Sequence, residues 1–234
     1  MHHPKAISPE LFLARTPPFS DLDPEDLSRI AVGARFLSVS KSEMLFRQGD
    51  PCDGLHIVID GQIKLVFISI KGDEKVVDVI KPGQSFGEAA TLMNRPHNVS
   101  AQAGCDSHLL LISRHSLLAE VESAPAFCKK MLTRLASHEY QLLQELESLS
   151  LHNGAQRIAA FLLHEIFLLE EDCDSVEITL PIQKSVIASR LNLTQEHLSR
   201  LLQDLTRRGL IVVEGKRITV PSVASLRVFL IGGG

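Results

Sequence analysis

From about Leu37 to Ile112 the chain runs in short apolar stretches broken by glycine turns. The turns fall at Gln48-Gly49-Asp50, Asp60-Gly61, Lys71-Gly72-Asp73 and Lys81-Pro82-Gly83, with glycines 12, 11 and 11 residues apart. Strands at so regular a spacing predict an all-β sandwich, roll or barrel. The runs between the turns (55–59, 63–67 and 76–80) are rich in the β-branched residues that suit a pleated surface. Asp60-Gly61 between two such runs predicts a hairpin, because a type I′ turn needs positive φ. Ahead of the roll, Asp21-Leu22-Asp23-Pro24-Glu25-Asp26 predicts a helix start, with Pro24 in the first helical position and acids at the positive end of the dipole.

After the β region the period changes. Cys128, Leu132, Leu135, Glu139, Leu142, Leu146 and Leu149 step by 4, 3, 4, 3, 4, 3. That is a heptad seam, which predicts pairing with a second helix rather than burial in a globular core. Glu139 is the irregular member; it either sets register or oligomer state or marks the seam shifting onto His138 or Leu143. Asn153 then reads as the N-cap of a helix with Ile158, Phe161 and Leu162 on its apolar face. The acidic stretch 170–175 reads as a solvated loop.

Residues 181–208 predict two helices around a tight turn. The first runs over 182–191 behind Pro181, with Val186, Ile187 and Leu191 apolar and Ala188 small enough for a close crossing. Asn192 suits a left-handed turn position and Thr194 an N-cap. On the second helix Leu198, Leu201, Leu202 and Leu205 recur at i, i+3, i+4, i+7 and predict a buried face, with Gln195, Glu196, Ser199 and Arg200 opposite. In a helix-turn-helix those N-terminal residues meet base edges in the major groove. Arg200 can donate twice to guanine O6/N7, Glu196 can accept from cytosine N4, and Ser199 is adaptable. Gly209 closes the helix behind Arg207-Arg208, cations at the negative end of the dipole. Residues 210–213, a turn at 214–217 and 218–220 predict a two-stranded wing, with Lys216 and Arg217 placed for phosphates.

The net charge of −4 conceals an asymmetry. From Ile178 to the end there are eight Lys/Arg against three Asp/Glu, a balance of +5, while the rest of the chain carries −9. Only the C-terminal part is suited to a polyanion. Cys52, Cys105, Cys128 and Cys173 form no Cys-x-x-Cys pair, which argues against a zinc site or a disulfide framework and for small buried hydrophobes. No apolar run approaches bilayer length, and the N-terminus lacks a signal-peptide pattern, so a cytoplasmic location is expected.

The whole layout resembles the catabolite-activator and fumarate–nitrate-reduction family of regulators, CRP/FNR. The likeness is carried by Phe46-Arg47-Gln48-Gly49-Asp50, Gly83-x-x-Phe86-Gly87-Glu88, Arg157-Ile158-Ala159 and the helix-turn-helix to wing segment. It implies an α+β chain: an N-terminal β-roll, a cyclic-nucleotide-binding-like jelly roll that senses an effector (1–124), a dimerisation helix (125–152) and a C-terminal winged helix-turn-helix (153–234). It implies a transcription regulator rather than an enzyme, an activator whose partners are double-stranded DNA, a second copy of the chain and RNA polymerase, with no membrane. Glu196-x-x-Ser199-Arg200 resembles the reading triplet of the FNR branch, whose half-sites resemble TTGAT. By the same resemblance Gln183, Lys184 and Ser185 lie near phosphates.

For the effector, the resemblance implies a pocket of Gly87, Glu88, Arg95, His97 and Asn98. Cyclic-AMP binders of the family carry Gly-Glu for the ribose and an Arg-Ser or Arg-Thr pair for the phosphate. Here the segment Met93-Asn94-Arg95-Pro96-His97-Asn98-Val99 is about two residues shorter than that form, and Pro96 has no N–H to offer a phosphate. Cyclic AMP is therefore the alternative effector. The iron–sulfur ligand set of the FNR branch is absent, since no cysteine precedes Cys52. The run Glu88-Ala89-Ala90-x-x-Met93-x-x-Pro96-x-x-Val99 looks more like the dissimilatory nitrate-respiration regulators, which implies haem-based sensing of nitric oxide or redox state. His56, His97, His108 and His138 match no axial-ligand motif and each reads as a structural histidine. A cupin-like metalloenzyme, the reading from another class, would need a His-x-His pair that the roll lacks.

Overall fold

The computed structural model describes residues 8–167, 174–180 and 183–232. The chain divides into two compact units, Met1–His138 and Glu139–Gly234, so the helix that the sequence sets apart at 125–152 belongs partly to each. No described helix is long and apolar enough to cross a membrane.

The first unit begins with α1 (Pro9–Leu13) and α2 (Pro24–Val32). Asp23 caps α2 as expected, its carboxylate accepting from the backbone N–H of Glu25 and Asp26 at 3.1 and 2.9 Å. Among the described residues eight strands follow: β1 (Ala34–Val39), β2 (Met44–Phe46), β3 (Gly54–Asp60), β4 (Ile63–Ile68), β5 (Glu74–Ile80), β6 (Ser85–Phe86), β7 (Ser100–Ala103) and β8 (Ser107–Ser113). They form two four-stranded antiparallel sheets, β1-β8-β3-β6 and β2-β7-β4-β5. The helices α3 (Glu88–Met93) and α4 (Arg114–Ser123) complete the roll.

Leu55, Ile57, Leu110 and Ile112 pack under Ile30, Leu117, Phe127 and Met131 of the helices. Val58 and Leu109, on the other face of the same strands, pack with Ile63, Ile80 and Phe86. A sheet covered on both faces needs apolar residues at successive positions, which is why Leu109–Ile112 shows no alternation.

The Asp60-Gly61 hairpin is not formed. β3 and β4 lie in different sheets, and the chain crosses between them at Gly61, φ +85°. The glycine is needed for close approach: a Cβ there would fall 2.2 Å from Ser107 Oγ, which also accepts from the N–H of Gln62 at 3.0 Å. The true hairpin joins β4 to β5 at Lys71-Gly72-Asp73, in register Ile68 to Glu74. The cysteines also differ from expectation. Cys52, Cys105 and Cys128 are free thiols and only half-buried, and Cys173 lies outside the described residues.

The long helix α5 spans Pro125–Leu151. Phe127 and Met131 bury one side of it against the roll, Phe127 lying 5.2 Å from the Phe19 ring. The heptad seam is on the adjacent side. Leu132 and Leu146 are 61% and 60% exposed, Leu142, Leu149 and Glu139 are exposed, and Cys128 and Leu135 are half-buried.

The second unit holds α6 (Gly154–Phe167), β9 (Val176–Thr179), α7 (Lys184–Arg190), α8 (Gln195–Arg207), β10 (Val212–Glu214), β11 (Arg217–Val220) and α9 (Val223–Gly232). Asn153 and Gln156 cap α6 reciprocally, each side chain accepting from the other's backbone N–H at 3.0 Å. The wing has three described strands rather than two, because β9 pairs antiparallel with β11 in the order β10-β11-β9. Val176-Glu177-Ile178-Thr179 alternates apolar and polar, a signal the sequence reading passed over. Of the acidic stretch, 170–173 lie outside the described residues. Asp174 is not a free loop residue, since its carbonyl and carboxylate accept from the N–H groups of Val223 and Ala224 and so cap α9.

Candidate nucleic-acid interface

α7 and α8 are set by local signals. α7 begins at Lys184, two residues later than expected, with Gln183 at its N-cap; Pro181 and Ile182 lie outside the described residues. Asn192 takes the left-handed turn conformation at φ +56°, and Leu193 N–H closes the turn on the Ala188 carbonyl at 2.8 Å. Thr194 Oγ1 accepts from His197 N–H at 3.2 Å, capping α8. Ile187, Ala188, Leu198, Leu202 and Leu205 are buried. Leu201 is only half-buried, and it lies so close to Gly154 that a Cβ there would come within 2.7 Å of its Cδ1. Arg190, at the end of α7, pairs with Glu145 of α5 at 2.7 Å with only 12% of the arginine side chain exposed.

The leucine face turns the opposite edge of α8 outward. Gln195, Glu196 and Arg200 are exposed, and no described residue forms an ion pair or hydrogen bond with their side chains. Ser199 is half-buried and its hydroxyl donates to the Gln195 carbonyl at 2.9 Å, which leaves lone pairs to face a ligand. Two further exposed residues, His197 and Gln203, were not among the expected readers. Gln203 stands one turn below Ser199 and Arg200, at i+4 and i+3, on the middle of the polar strip. The helical period alone could have found it.

The flanking cations are not equivalent. Arg207 and Arg208 both pair with Asp204, at 3.3 and 3.0 Å, and Arg208 also lies over the Phe229 ring. On the wing, Lys216 is exposed at the turn, whereas Arg217 approaches Glu177 at 3.8 Å with both side chains more than half exposed. Gln183 and Ser185 are exposed at the start of α7, while Lys184 is half-buried.

Of the five effector-pocket residues of the roll, Gly87 and His97 lie side by side, a Cβ on Gly87 falling 3.8 Å from His97 Cε1. Gly87, in the left-handed region at φ +91°, opens α3. Glu88 turns toward α5: its Oε1 accepts from Ser85 Oγ at 2.6 Å and from Arg134 Nε at 3.2 Å, and Arg134 also donates to the Ser85 carbonyl. Arg95 and Asn98 are exposed. His97 is buried, its ring flat on Phe46 at 3.5 Å. Beside it lies buried His56, stacked on Phe86 at 5.0 Å. Burial, together with the neighbouring His97 and Arg35, pushes His56 down to about 3, and burial also lowers His97 against the pull of Asp50 and Asp53. Sequence reasoning missed Arg134, which lies 46 positions from its partner.

Residues 36–124 match the cyclic nucleotide-binding domain family and residues 156–229 the Crp-like helix-turn-helix domain family. The chain is 30% identical over 190 residues to the anaerobic regulatory protein of Pasteurella multocida, covering 80% of this chain and 69% of that one. It is 23% identical over 210 residues to the CRP-like cAMP-activated global transcriptional regulator of Mycobacterium tuberculosis, covering 89% and 93%. A solved CooA mutant from Carboxydothermus hydrogenoformans has a similar fold, with a TM-score of 0.76 at 18% identity over 97% of each chain.

Proposed function

The chain belongs to the CRP/FNR family of DNA-binding transcription regulators, and on that premise we propose that it acts as an effector-controlled homodimer reading a palindrome with TTGAT-like half-sites. The observation that carries this reading is the outward edge of Gln195, Glu196 and Arg200, exposed and unpartnered, with half-buried Ser199 among them, held in place by buried Leu198, Leu202 and Leu205. Arg200 takes the guanine and Glu196 a cytosine amine of each half-site. Ser199, its proton committed to the helix, accepts from an exocyclic amine. Lys216, Gln183 and Ser185 hold phosphates and fix register.

A second copy covers the leucine seam of α5. The exposed Leu132, Leu142, Leu146 and Leu149 favour this occupant, since a 3-4 stripe of leucine matches itself across a two-fold axis. The effector acts by changing how the two reading helices are presented, because only a separation of about 34 Å lets both enter successive major grooves. α5 is suited to carry that change. Its Arg134 is bonded to the start of α3 in the first unit and its Glu145 to the end of α7 in the second. RNA polymerase is the partner of the bound dimer, and the cytoplasm its location.

Haem-based sensing is the first reading of the effector, and the buried histidines His56 and His97 have ring faces covered by Phe86 and Phe46. Cyclic AMP remains the second reading, favoured by the match of 36–124 to the cyclic nucleotide-binding family. Against it stand exposed Arg95 and the commitment of Glu88 to Arg134.

Fluorescence anisotropy on labelled duplexes tests the function directly. The expected result is salt-sensitive binding to a TTGAT-type palindrome with half-site centres about one helical turn apart. Equal affinity for that duplex and a scrambled one of the same composition would overturn it.

A further inference from the structure

Within the roll, two bare imidazoles are walled in by aromatic rings. His56 and His97 are 4% and 5% exposed. His56 Nδ1 is buried without a hydrogen-bond partner, and no described residue bonds to a ring nitrogen of His97. The ring centroids stand 6.3 Å apart with planes at 53°. The missing side chain of Gly87 leaves the inner edge open: a Cβ there would lie 3.8 Å from both His56 Nδ1 and His97 Cε1. Turning the His97 ring about its Cβ–Cγ bond exchanges Cε1 with Nε2 and preserves the stack on Phe46, so a nitrogen can occupy that inner position.

We infer that His56 and His97 together form a two-coordinate site for monovalent copper. Two imidazole nitrogens about 2 Å from one metal put the ring centroids roughly 5–6.4 Å apart, from a tetrahedral angle to a straight line. The observed 6.3 Å is at the linear end. Among the described residues no third His, Cys, Asp or Glu joins the pair. Zinc and iron(II) require more ligands than that, whereas closed-shell Cu(I) is satisfied by two donors in line. Charge points the same way, because the cost of burying an ion grows with the square of its charge and a dication here would cost about four times as much.

The test is anaerobic titration of the reduced full-length protein with Cu(I) in competition with bicinchoninate, followed by X-ray absorption on the loaded wild type. One copper per chain is expected in the wild type and in the C52S/C105S/C128S/C173S variant. None is expected in H56F or H97F, which keep an aromatic ring in each stack. The absorption data should show two nitrogen scatterers and no sulfur, a result that requires no variant to fold. Failure of the wild type to retain copper, copper that survives both phenylalanine variants, or sulfur in the first shell would each overturn the site. None of these outcomes depends on how the protein reads DNA.

Discussion

Arg134 Nε of α5 lies 3.2 Å from Glu88 Oε1 at the start of α3, with only 12% of the glutamate side chain exposed. A carboxylate so enclosed depends on its donors, and here they are Arg134 and Ser85. Arg134→Gln should therefore destabilise the chain by about 1–3 kcal/mol, since it leaves a buried charge half-satisfied. Glu88→Gln should cost less, because a neutral amide oxygen still accepts both bonds. Urea unfolding of the two variants checks the asymmetry; equal losses would mean that the pair is screened like a surface contact.

The elements that were legible in the sequence are those whose signals act within a few residues. Asp23 with Pro24, Asn153, Thr194 and the Leu198–Leu205 spacing each specify a cap or a face locally, and each is found in place. What escaped depends on partners far along the chain. Whether Asp60-Gly61 makes a hairpin or a crossing is decided by Ser107, 46 positions beyond Gly61. Strand Val176–Thr179 gains its identity from Arg217–Val220. The reading edge was visible because one helix supplies it entirely. The pocket of the roll was not, because Glu88 meets Arg134 and His56 meets His97 only through the tertiary fold.

Arg200→Ala should weaken binding by about 1–3 kcal/mol per half-site and relax the preference for guanine at one position. Lys216→Ala should instead weaken all sequences alike and lower the salt slope by about one. Anisotropy against salt with cognate and substituted duplexes separates the two, since only the first alters the ratio between sequences.

Gln203→Ala should relax discrimination at a base pair next to that read by Arg200, by about 1–3 kcal/mol if its amide engages an adenine edge in both senses. The residue is exposed on the same strip as Ser199 and Arg200. Selection of duplexes by the variant from a randomised pool would reveal it as one degenerate column, whereas an unchanged pattern would place Gln203 beyond the groove.

Acid should destabilise the folded chain through His56. The unfolded histidine takes up a proton below about pH 6.5; the folded one refuses it until about 3. Between these values the unfolded state binds more protons, so stability falls as pH falls, by at most about 1.4 kcal/mol per unit from this group. His56→Phe should flatten that part of the profile. The check is urea midpoints of both proteins between pH 4 and 7; parallel curves would show that other groups dominate.

Glu139 is exposed on the seam between half-buried Leu135 and exposed Leu142. In a parallel pair of helices the two copies of that residue face one another, and like charges at a desolvated seam oppose association. Glu139→Leu removes the repulsion and extends the leucine stripe, so the dimer should tighten by about tenfold or more, roughly 1.4 kcal/mol. Leu132→Glu, on the same face, should weaken it by a similar factor. Sedimentation velocity over a dilution series measures both, with stability checked separately so that a loss of folding is not mistaken for a loss of pairing. If the dimer constant moves for Leu132→Glu and not for Glu139→Leu, the seam drifts off Glu139 onto His138 or Leu143. If neither moves it, the helix pairs through another face.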